Sequence, residues 1–550
     1  MHTECYPISI LPRLSRLFLD YAESREPLAP FYAASAFSQD WKRHAPVQDA
    51  TLRSAVADAL LAQNRGFGAG AATLINIERL RRGAAAVVTG QQVALFGGPL
   101  FTLLKAATAI RKAKDAGAVP VFWMATEDHD LAEADHVTLA SRHQLHLLRL
   151  AHEDADAGKP VGKVRLGAGI VPLLDEAAEL LGPGVILEAL TASYRPDATY
   201  AEAFGKLLAA VFAAEGLVLI DAAGPRFHRA GAPVLRAAIE RAAELEDLLL
   251  DRTRLLNDRG YEAQVLVAPE SSLLFLIDAE SGVRVALKRK TRAANDGPAH
   301  DGAAHDGAAE DGPVWSAGKR HYSTGELLAI LDETPERLSP NALLRPVFQD
   351  YILPTAVYIG GPAEIAYFAQ SQVLYQAILG RTTTVLPRLS ATLIEPATAA
   401  ILARHELTLL DVINTQPEEL AQRLGARAIP IEGKRKLASA GQALDAELTE
   451  VTRWMDSLDP GLGRSATVAA SKMRYQMNRL RRLAANHRLQ TEDGLRRHVD
   501  ALYLNLFPDR HPQERSIGAA AYLARYGEAL LPELVEQAAQ ECPGHRAIFV

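Results

Sequence analysis

The spacing of hydrophobic residues changes along the chain, and those changes mark its parts. In residues 1–80, apolar positions such as Leu14, Leu17, Phe18 and Tyr21 recur every three or four, which predicts an N-terminal helical segment packed on a core. Ala84–Thr89 is instead a continuous apolar run, read as a buried strand, and Pro120–Ala125 (PVFWMA) is a second. Between them a helix is expected from Pro99, whose missing N–H is no loss at a first helical position, to about Ala116, with Gly117 as its cap. A strand–helix–strand unit of this length predicts a right-handed crossover between parallel strands. The pattern returns at Leu217–Ile220, ending on Asp221, and at Ala356–Ile359, ending on Gly360-Gly361-Pro362 before a helix from about Ala363. Thr383–Leu386 completes the set.

These runs predict an α/β fold, a doubly wound Rossmann-type core assembled from residues 81–140, 206–224 and 346–394. Two insertions, 141–205 and 225–345, interrupt it. Within the second, residues 291–313 include the repetitive stretch PAHDGAAHDGAAEDGP, expected to be a flexible solvated loop whose two histidines hold no metal. From 395 to 510 the period is helical. Leu444, Leu448, Val451, Met455 and Leu458 step by four and three, Pro460-Gly461-Leu462-Gly463 breaks the helix, and Met473, Met477, Leu480 and Ala484 resume the stepping. An antiparallel helical hairpin of coiled-coil type is expected, followed by a C-terminal helical segment at 511–550.

Composition narrows the function. The 550 residues carry 59 basic against 66 acidic side chains, net −7, which favours neither nucleic acid nor an anionic membrane as partner. No apolar run reaches the roughly 18–20 residues of a membrane span, and the N-terminal sequence lacks the order of a signal peptide. Cys5 and Cys542 are the only cysteines and stand near opposite ends. They are expected to form neither a disulfide framework nor a zinc site, in keeping with a reducing cytoplasm.

Three segments should meet at the carboxyl ends of the parallel strands, where such folds bind ligands: Thr89-Gly90-Gln91-Gln92, Thr126-Glu127-Asp128-His129-Asp130 and Gly360-Gly361-Pro362-Ala363-Glu364. The glutamines offer donors and acceptors to hydroxyls, amides or carboxylates. Backbone N–H groups at Gly97, Gly98 and the following helix start either meet an anion or merely serve a tight turn. TEDHDLAEADHV gathers Glu127, Asp128, His129, Asp130, Glu133, Asp135 and His136, with Asp128 or His129 as the candidate proton acceptor. No H-E-x-x-H spacing supports a metal, and none is expected. Glu364 is placed either to answer a helix dipole or to bind a cationic amine. Arg345, upstream with Gln349 and Asp350, is a structural tie or a bidentate carboxylate clamp.

VVTGQQVALFGGPLFTLLKA, PVFWMATEDHDLAEADHV, GYEAQVLVAPESSLLFLI, LSPNALLRPVFQDYILPTAVYIGGPAEIAYFAQ and VLPRLSATLIE resemble the bacillithiol biosynthesis cysteine-adding enzyme family, over essentially the whole chain. The resemblance implies a core like that of class I aminoacyl-tRNA synthetases, with two connecting-peptide insertions and a C-terminal coiled coil that forms a homodimer. It implies a ligase joining the carboxyl of L-cysteine to the amine of glucosaminyl malate, the last step of bacillithiol synthesis, or of a methylated variant. ATP or ADP is the candidate nucleotide, with no cofactor fixed by the motifs. Adenylate-forming relatives carry an H-x-G-H-type motif where this chain has Gly97-Gly98-Pro99-Leu100, and a lysine-rich loop where it has Pro387-Arg388-Leu389-Ser390 with Arg388 its one basic residue. On this reading Gly98, Arg345 and Arg388 are candidate carboxylate or phosphate contacts. Thr89, Gly90, Gln91, Gln92, Asp130, Gly360, Gly361 and Glu364 bind substrate, while Asp128 and His129 are catalytic. The stretch between Gln513-Glu514-Arg515 and Ala524-Arg525-Tyr526-Gly527 matches the family only loosely and is expected not to touch the core motifs. Two other readings remain: a dimeric binding or scaffold protein whose core has lost catalysis, and a metal-dependent hydrolase built on EDHD.

Overall fold

The structure, a computed structural model, describes residues 2–24, 28–43, 46–141, 144–290, 314–492, 494–539 and 542–550. The repetitive stretch at 291–313 lies outside the described residues. The chain divides into two compact units: a larger one of Cys5–Ala391 with Glu514–Arg546, and a smaller one of Met1–Glu4, Thr392–Gln513 and Ala547–Val550.

The larger unit is built on five parallel strands, β1 (Ala86–Gln92), β2 (Val119–Ala125), β3 (Val218–Asp221), β4 (Thr355–Gly360) and β5 (Thr384–Pro387), in the order β5-β4-β1-β2-β3. This is the doubly wound arrangement, with β1 central. Val87, Val88, Val121, Phe122 and Ile359 are fully buried, as strands covered on both faces require. β1 runs three residues past the expected end, because Gly90, Gln91 and Gln92 pair with Trp123, Met124 and Ala125 of β2. Apolar periodicity reads side chains, and here the backbone stays in the ladder after the side chains turn polar. Gly90 is required at that point, since a Cβ would stand 2.9 Å from the Trp123 carbonyl oxygen.

Helix α1 (Phe101–Ala116) crosses from β1 to β2, burying Leu103, Leu104, Ala107 and Ile110 and ending on Gly117 at φ +62°. Helix α2 (Pro362–Leu379) follows β4 with proline in its first turn. At the start of the first insertion, Leu145–Arg149 pairs antiparallel with His136–Ala140, the end of the preceding core segment. The second carries an antiparallel five-stranded sheet in the order Arg320–Tyr322, Val314–Ala317, Arg284–Lys290, Ser271–Ile277, Leu338–Pro340.

In the smaller unit, α3 (Ile431–Leu458) and α4 (Pro460–Thr491) form the antiparallel hairpin, tied by Arg474 Nε to Asp445 at 2.7 Å. Pro460-Gly461-Leu462-Gly463 opens the second helix instead of breaking the chain for four residues. Asp459 alone leaves the helical region and accepts from the N–H groups of Gly461 (2.7 Å) and Leu462 (2.9 Å), and Pro460 fills the first helical position. Among the described residues no helix is long and apolar enough to cross a membrane.

Cys5 and Cys542 are disulfide-bonded, with Cα atoms 6.2 Å apart, against the expectation of two separate thiols. Sequence distance misled. The backbone of Gly544 packs so closely on that of Tyr6 that a Cβ would overlap its carbonyl oxygen, and this approach brings the two cysteines together. The stretch 516–523 likewise touches a core motif after all. Leu100 N–H donates to Ile517 O and Ala519 N–H to Gly98 O, both at 2.9 Å. Backbone pairing of this kind is indifferent to the side chains that made the stretch look unrelated.

Candidate active site

A cavity of about 770 Å³ opens at the carboxyl ends of β1, β2 and β4, with the antiparallel sheet of the second insertion as its other wall. Six cationic side chains line it (Lys105, Arg284, Lys288, Arg345, Arg388 and Arg515) against four carboxylates: Glu127, Asp128, Glu133 and Glu364.

Lys105 is a lone charge on the apolar face of α1, its side chain only 4 % exposed. Its ammonium donates to Gly90 O (2.6 Å) and Gln91 Oε1 (3.0 Å) and pairs with Glu364 Oε2. Glu364 also accepts from Tyr358 Oη at 2.6 Å and from Gly361 N–H at 2.7 Å. Burial lowers the Lys105 pKa, with Glu364 opposing. Burial also works against the Glu364 charge, but Lys105, Tyr358 and Gly361 outweigh it and hold the carboxyl below its usual range. So the TGQQ and GGPAE segments are joined through one buried ion pair.

Arg345 donates to Tyr367 Oη (2.7 Å) and Gln349 Oε1 (3.2 Å) and lies over the Tyr358 ring. Burial opposes its charge, yet Tyr367, Tyr358 and Glu364 raise its pKa. Gln349 and Asp350 face inward, Asp350 accepting from Tyr375 (2.9 Å) and Thr383 (2.6 Å). Arg388 forms a two-pronged pair with buried Glu514 at 2.6 and 3.0 Å and sits over the Phe101 ring. Arg515 lies over the same ring from 5.8 Å and has no hydrogen-bond or ion-pair partner among the described residues.

The acidic run does not act as one cluster. Glu127 pairs with fully buried His228 at 2.6 Å, and the other ring nitrogen of His228 is 3.1 Å from Pro335 O. Burial resists the Glu127 charge, and His228, Arg284 and Lys163 prevail and depress its pKa. Asp135 binds His136 and Arg149, both at 3.0 Å, away from the cavity. Asp130 caps a short turn of helix and its carbonyl accepts from Gln92 Nε2 at 3.0 Å. Asp128 and His129 are different: their side chains are 44 % and 41 % exposed and both line the cavity. Glu133 lines it too, its pKa raised by burial and then by Asp130 and Asp128. Among the described residues no group of three metal-type ligands occurs.

Of the residues singled out from sequence, the structure brings Gly90, Gln91, Gln92, Asp128, His129, Arg345, Gly361, Glu364 and Arg388 to the cavity. Thr89, Gly98, Asp130 and Gly360 do not line it. Thr89 Oγ1 donates to Ile359 O at 2.9 Å inside the sheet, and Gly360 O accepts from Arg388 N–H. The turn at 96–98 explains its glycines by geometry. Phe96, Gly97 and Gly98 all have positive φ (49°, 83° and 70°), Gly97 N–H donates to Tyr194 Oη, and Gly98 N–H donates to Leu95 O. Those donors are committed inside the protein. Sequence reasoning missed Lys105, Arg284, His228, Tyr358, Tyr367, Glu514 and Arg515. Lys105 had a signal, a single charge inside FTLLKAATAI, whereas Arg284, His228 and Glu514 reach the site from distant segments with no local mark.

The sequence matches the model of the bacillithiol biosynthesis BshC N-terminal Rossmann-like domain over residues 1–300 and 308–389, and that of the BshC C-terminal coiled-coil domain over 391–550. It is 43 % identical to a protein of Koribacter versatilis and 34 % identical to one of Solibacter usitatus, in each case over the full length of both chains. A Symbiobacterium thermophilum protein is 33 % identical over 95 % of this chain and 98 % of its own. Each of the three is named "Putative cysteine ligase BshC".

Proposed function

The chain belongs to the bacillithiol biosynthesis BshC family, and we propose that it is the ligase that joins L-cysteine to the amine of glucosaminyl malate. The observation that carries this is the charge of the cavity. With Lys105 held by Glu364, Arg388 by Glu514 and Glu127 set against His228, the cations Arg284, Lys288, Arg345 and Arg515 face only Asp128 and Glu133, an excess that suits a substrate bearing the two carboxylates of malate. Lys288 and Arg515 have no hydrogen-bond or ion-pair partner among the described residues and are the readiest contacts, with Arg345 and Arg388 held rigidly beside them. Gln91, Gln92 and Gly361 contribute further polar contacts, and Glu364 fixes Lys105.

Amide formation needs cysteine as an activated acyl group, here a mixed carboxylic–phosphoric anhydride derived from ATP. The amine nitrogen attacks the acyl carbon, the C=O electron pair moves to oxygen, and collapse expels the phosphate group. The amine's proton goes to Asp128 or His129, the partly exposed pair at the cavity wall. A core of five parallel strands with insertions after β2 and β3 supports the class I aminoacyl-tRNA synthetase-like reading. We place the reaction in the cytoplasm, where exposed Cys5 leaves its bond to Cys542 open to reducing thiols. A homodimer through α3 and α4 is part of the same proposal, supported by the exposed Val451, Trp454, Leu458, Leu462 and Leu480.

The test is mass spectrometry of purified protein with cysteine and glucosaminyl malate, run with ATP, without it, and with clarified extract. Amide product with ATP, with ADP or AMP released, is the expected result. Product only with extract would replace the ATP-derived anhydride by an acyl donor from a partner. No product in any arm would overturn the assignment.

A further inference from the structure

Arg284 projects from the inserted strand Arg284–Lys290 and is fixed on every side. Its guanidinium lies 3.7 Å from the centre of the Phe275 ring, Nε donates to Ser339 Oγ (2.9 Å) and Nη2 to Pro340 O (3.0 Å). Its remaining polar contact is Nη1 to Nδ1 of His129, at 3.2 Å. A guanidinium can only donate, so His129 Nδ1 must accept, and the ring proton resides on Nε2. Asp128 does not compete for Nδ1. Its Oδ1 is 3.8 Å away, beyond hydrogen-bond distance, and already accepts the main-chain N–H of His129 at 2.7 Å. Nε2–H has no partner among the described residues and belongs to a side chain that lines the cavity.

We propose that Arg284 is a positioning residue that holds His129 as an Nε2–H hydrogen-bond donor to the reacting carbonyl oxygen, which leaves Asp128 as the group that takes the amine's proton. This rests on the ligase reading above and divides the roles within the same site. A neutral ring with its proton on Nε2 and its lone pair turned to a cation is a poor base and a good donor to an oxygen on which negative charge develops. The inserted sheet thereby contributes to the chemistry, since Arg284, Phe275, Ser339 and Pro340 all belong to it.

The experiment has two arms on the full chain. In the first, nitrogen-15 NMR of histidine-labelled protein, assigned by difference against His129→Gln, reads the tautomer without any turnover. Nε2–H in the wild type, lost in Arg284→Gln, is expected; an Nδ1–H ring in the wild type would overturn the proposal. In the second arm, amide formation is followed in His129→Ala, His129→Gln and Arg284→Gln. The glutamine amide can replace an Nε2–H donor but cannot serve as a base. His129→Ala should lose about 100-fold in kcat, the scale of one oxyanion donor, while His129→Gln should recover most of that. Arg284→Gln should lower kcat about tenfold in the wild type and leave His129→Gln unchanged. A His129→Gln enzyme as inactive as His129→Ala would show a base and sink the proposal. If the wild type makes no amide at all, the ligase reading fails, and the NMR arm still decides whether Arg284 sets the ring.

Discussion

Two sets of ionisable groups share one cavity and are held in opposite ways. Lys105–Glu364 and Arg388–Glu514 are buried, paired and hydrogen-bonded to the backbone around them. Asp128 and His129 stand on the same wall with nearly half of each side chain exposed. The difference separates what holds the crevice open from what is free to meet the reacting groups in it, Asp128 as proton acceptor and His129 as hydrogen-bond donor. A group committed to a buried partner cannot change charge without large loss, whereas an exposed one keeps that freedom. Removing a member of the first set should therefore change stability, and removing a member of the second should change rate.

The sharpest division is expected at Asp128. Asp128→Asn should lower kcat by about 10²- to 10⁴-fold, with the urea midpoint moving by no more than about 0.5 kcal/mol equivalent. A large loss of stability with modest loss of rate would erase the distinction. Lys105→Met should do the converse, lowering stability by about 3–5 kcal/mol because Glu364 is left buried and unpaired. Chemical denaturation of Lys105→Met/Glu364→Gln should show recovery of more than half of that loss; no recovery would mean that the pair is not coupled as drawn.

A pH series extends the comparison to the second buried network. Burial lowers the His545 pKa from its ordinary value to about 4, although Glu514 opposes it. An imidazole kept neutral in the fold but titrating near about 6.5 when unfolded stabilises the protein above that pH. The contribution, on the order of 3 kcal/mol, is lost as pH falls from about 6.5 towards about 4, and His545→Gln should flatten denaturation midpoints across that window. The smallest effect is expected at Gly90→Ala. The added methyl would press on the Trp123 carbonyl, lowering stability by about 1–2 kcal/mol and displacing the Gly90 carbonyl that Lys105 binds.

The core was legible because continuous apolar runs ending in polar or glycine-rich residues are what doubly wound strands look like. All five strands lie where such runs were read, shifted by a few residues at their ends. The cavity motifs were legible for the same reason, since the carboxyl end of each strand is a fixed place in such a sheet. What escaped was pairing across distance. Nothing local distinguishes Glu364 bound to Lys105 from Glu364 facing solvent, and nothing in HPQERS announces that Glu514 holds Arg388 from 126 residues away. Turn glycines at 97 and 98 show an alternative that the sequence left open. Their composition fits an anion site and a tight turn equally, and the dihedral angles and internal hydrogen bonds decide for a turn whose N–H groups are already used.

The bond between Cys5 and Cys542 makes the covalent backbone a ring of 538 residues, since the sequence separation is 537. A single cut within that ring opens it without releasing a fragment, so a nicked molecule would keep its mass on a non-reducing gel and divide only after reductant. The same closure makes the junction between residues 5 and 542 a natural place to rejoin the chain, so new ends could be opened at an exposed loop elsewhere.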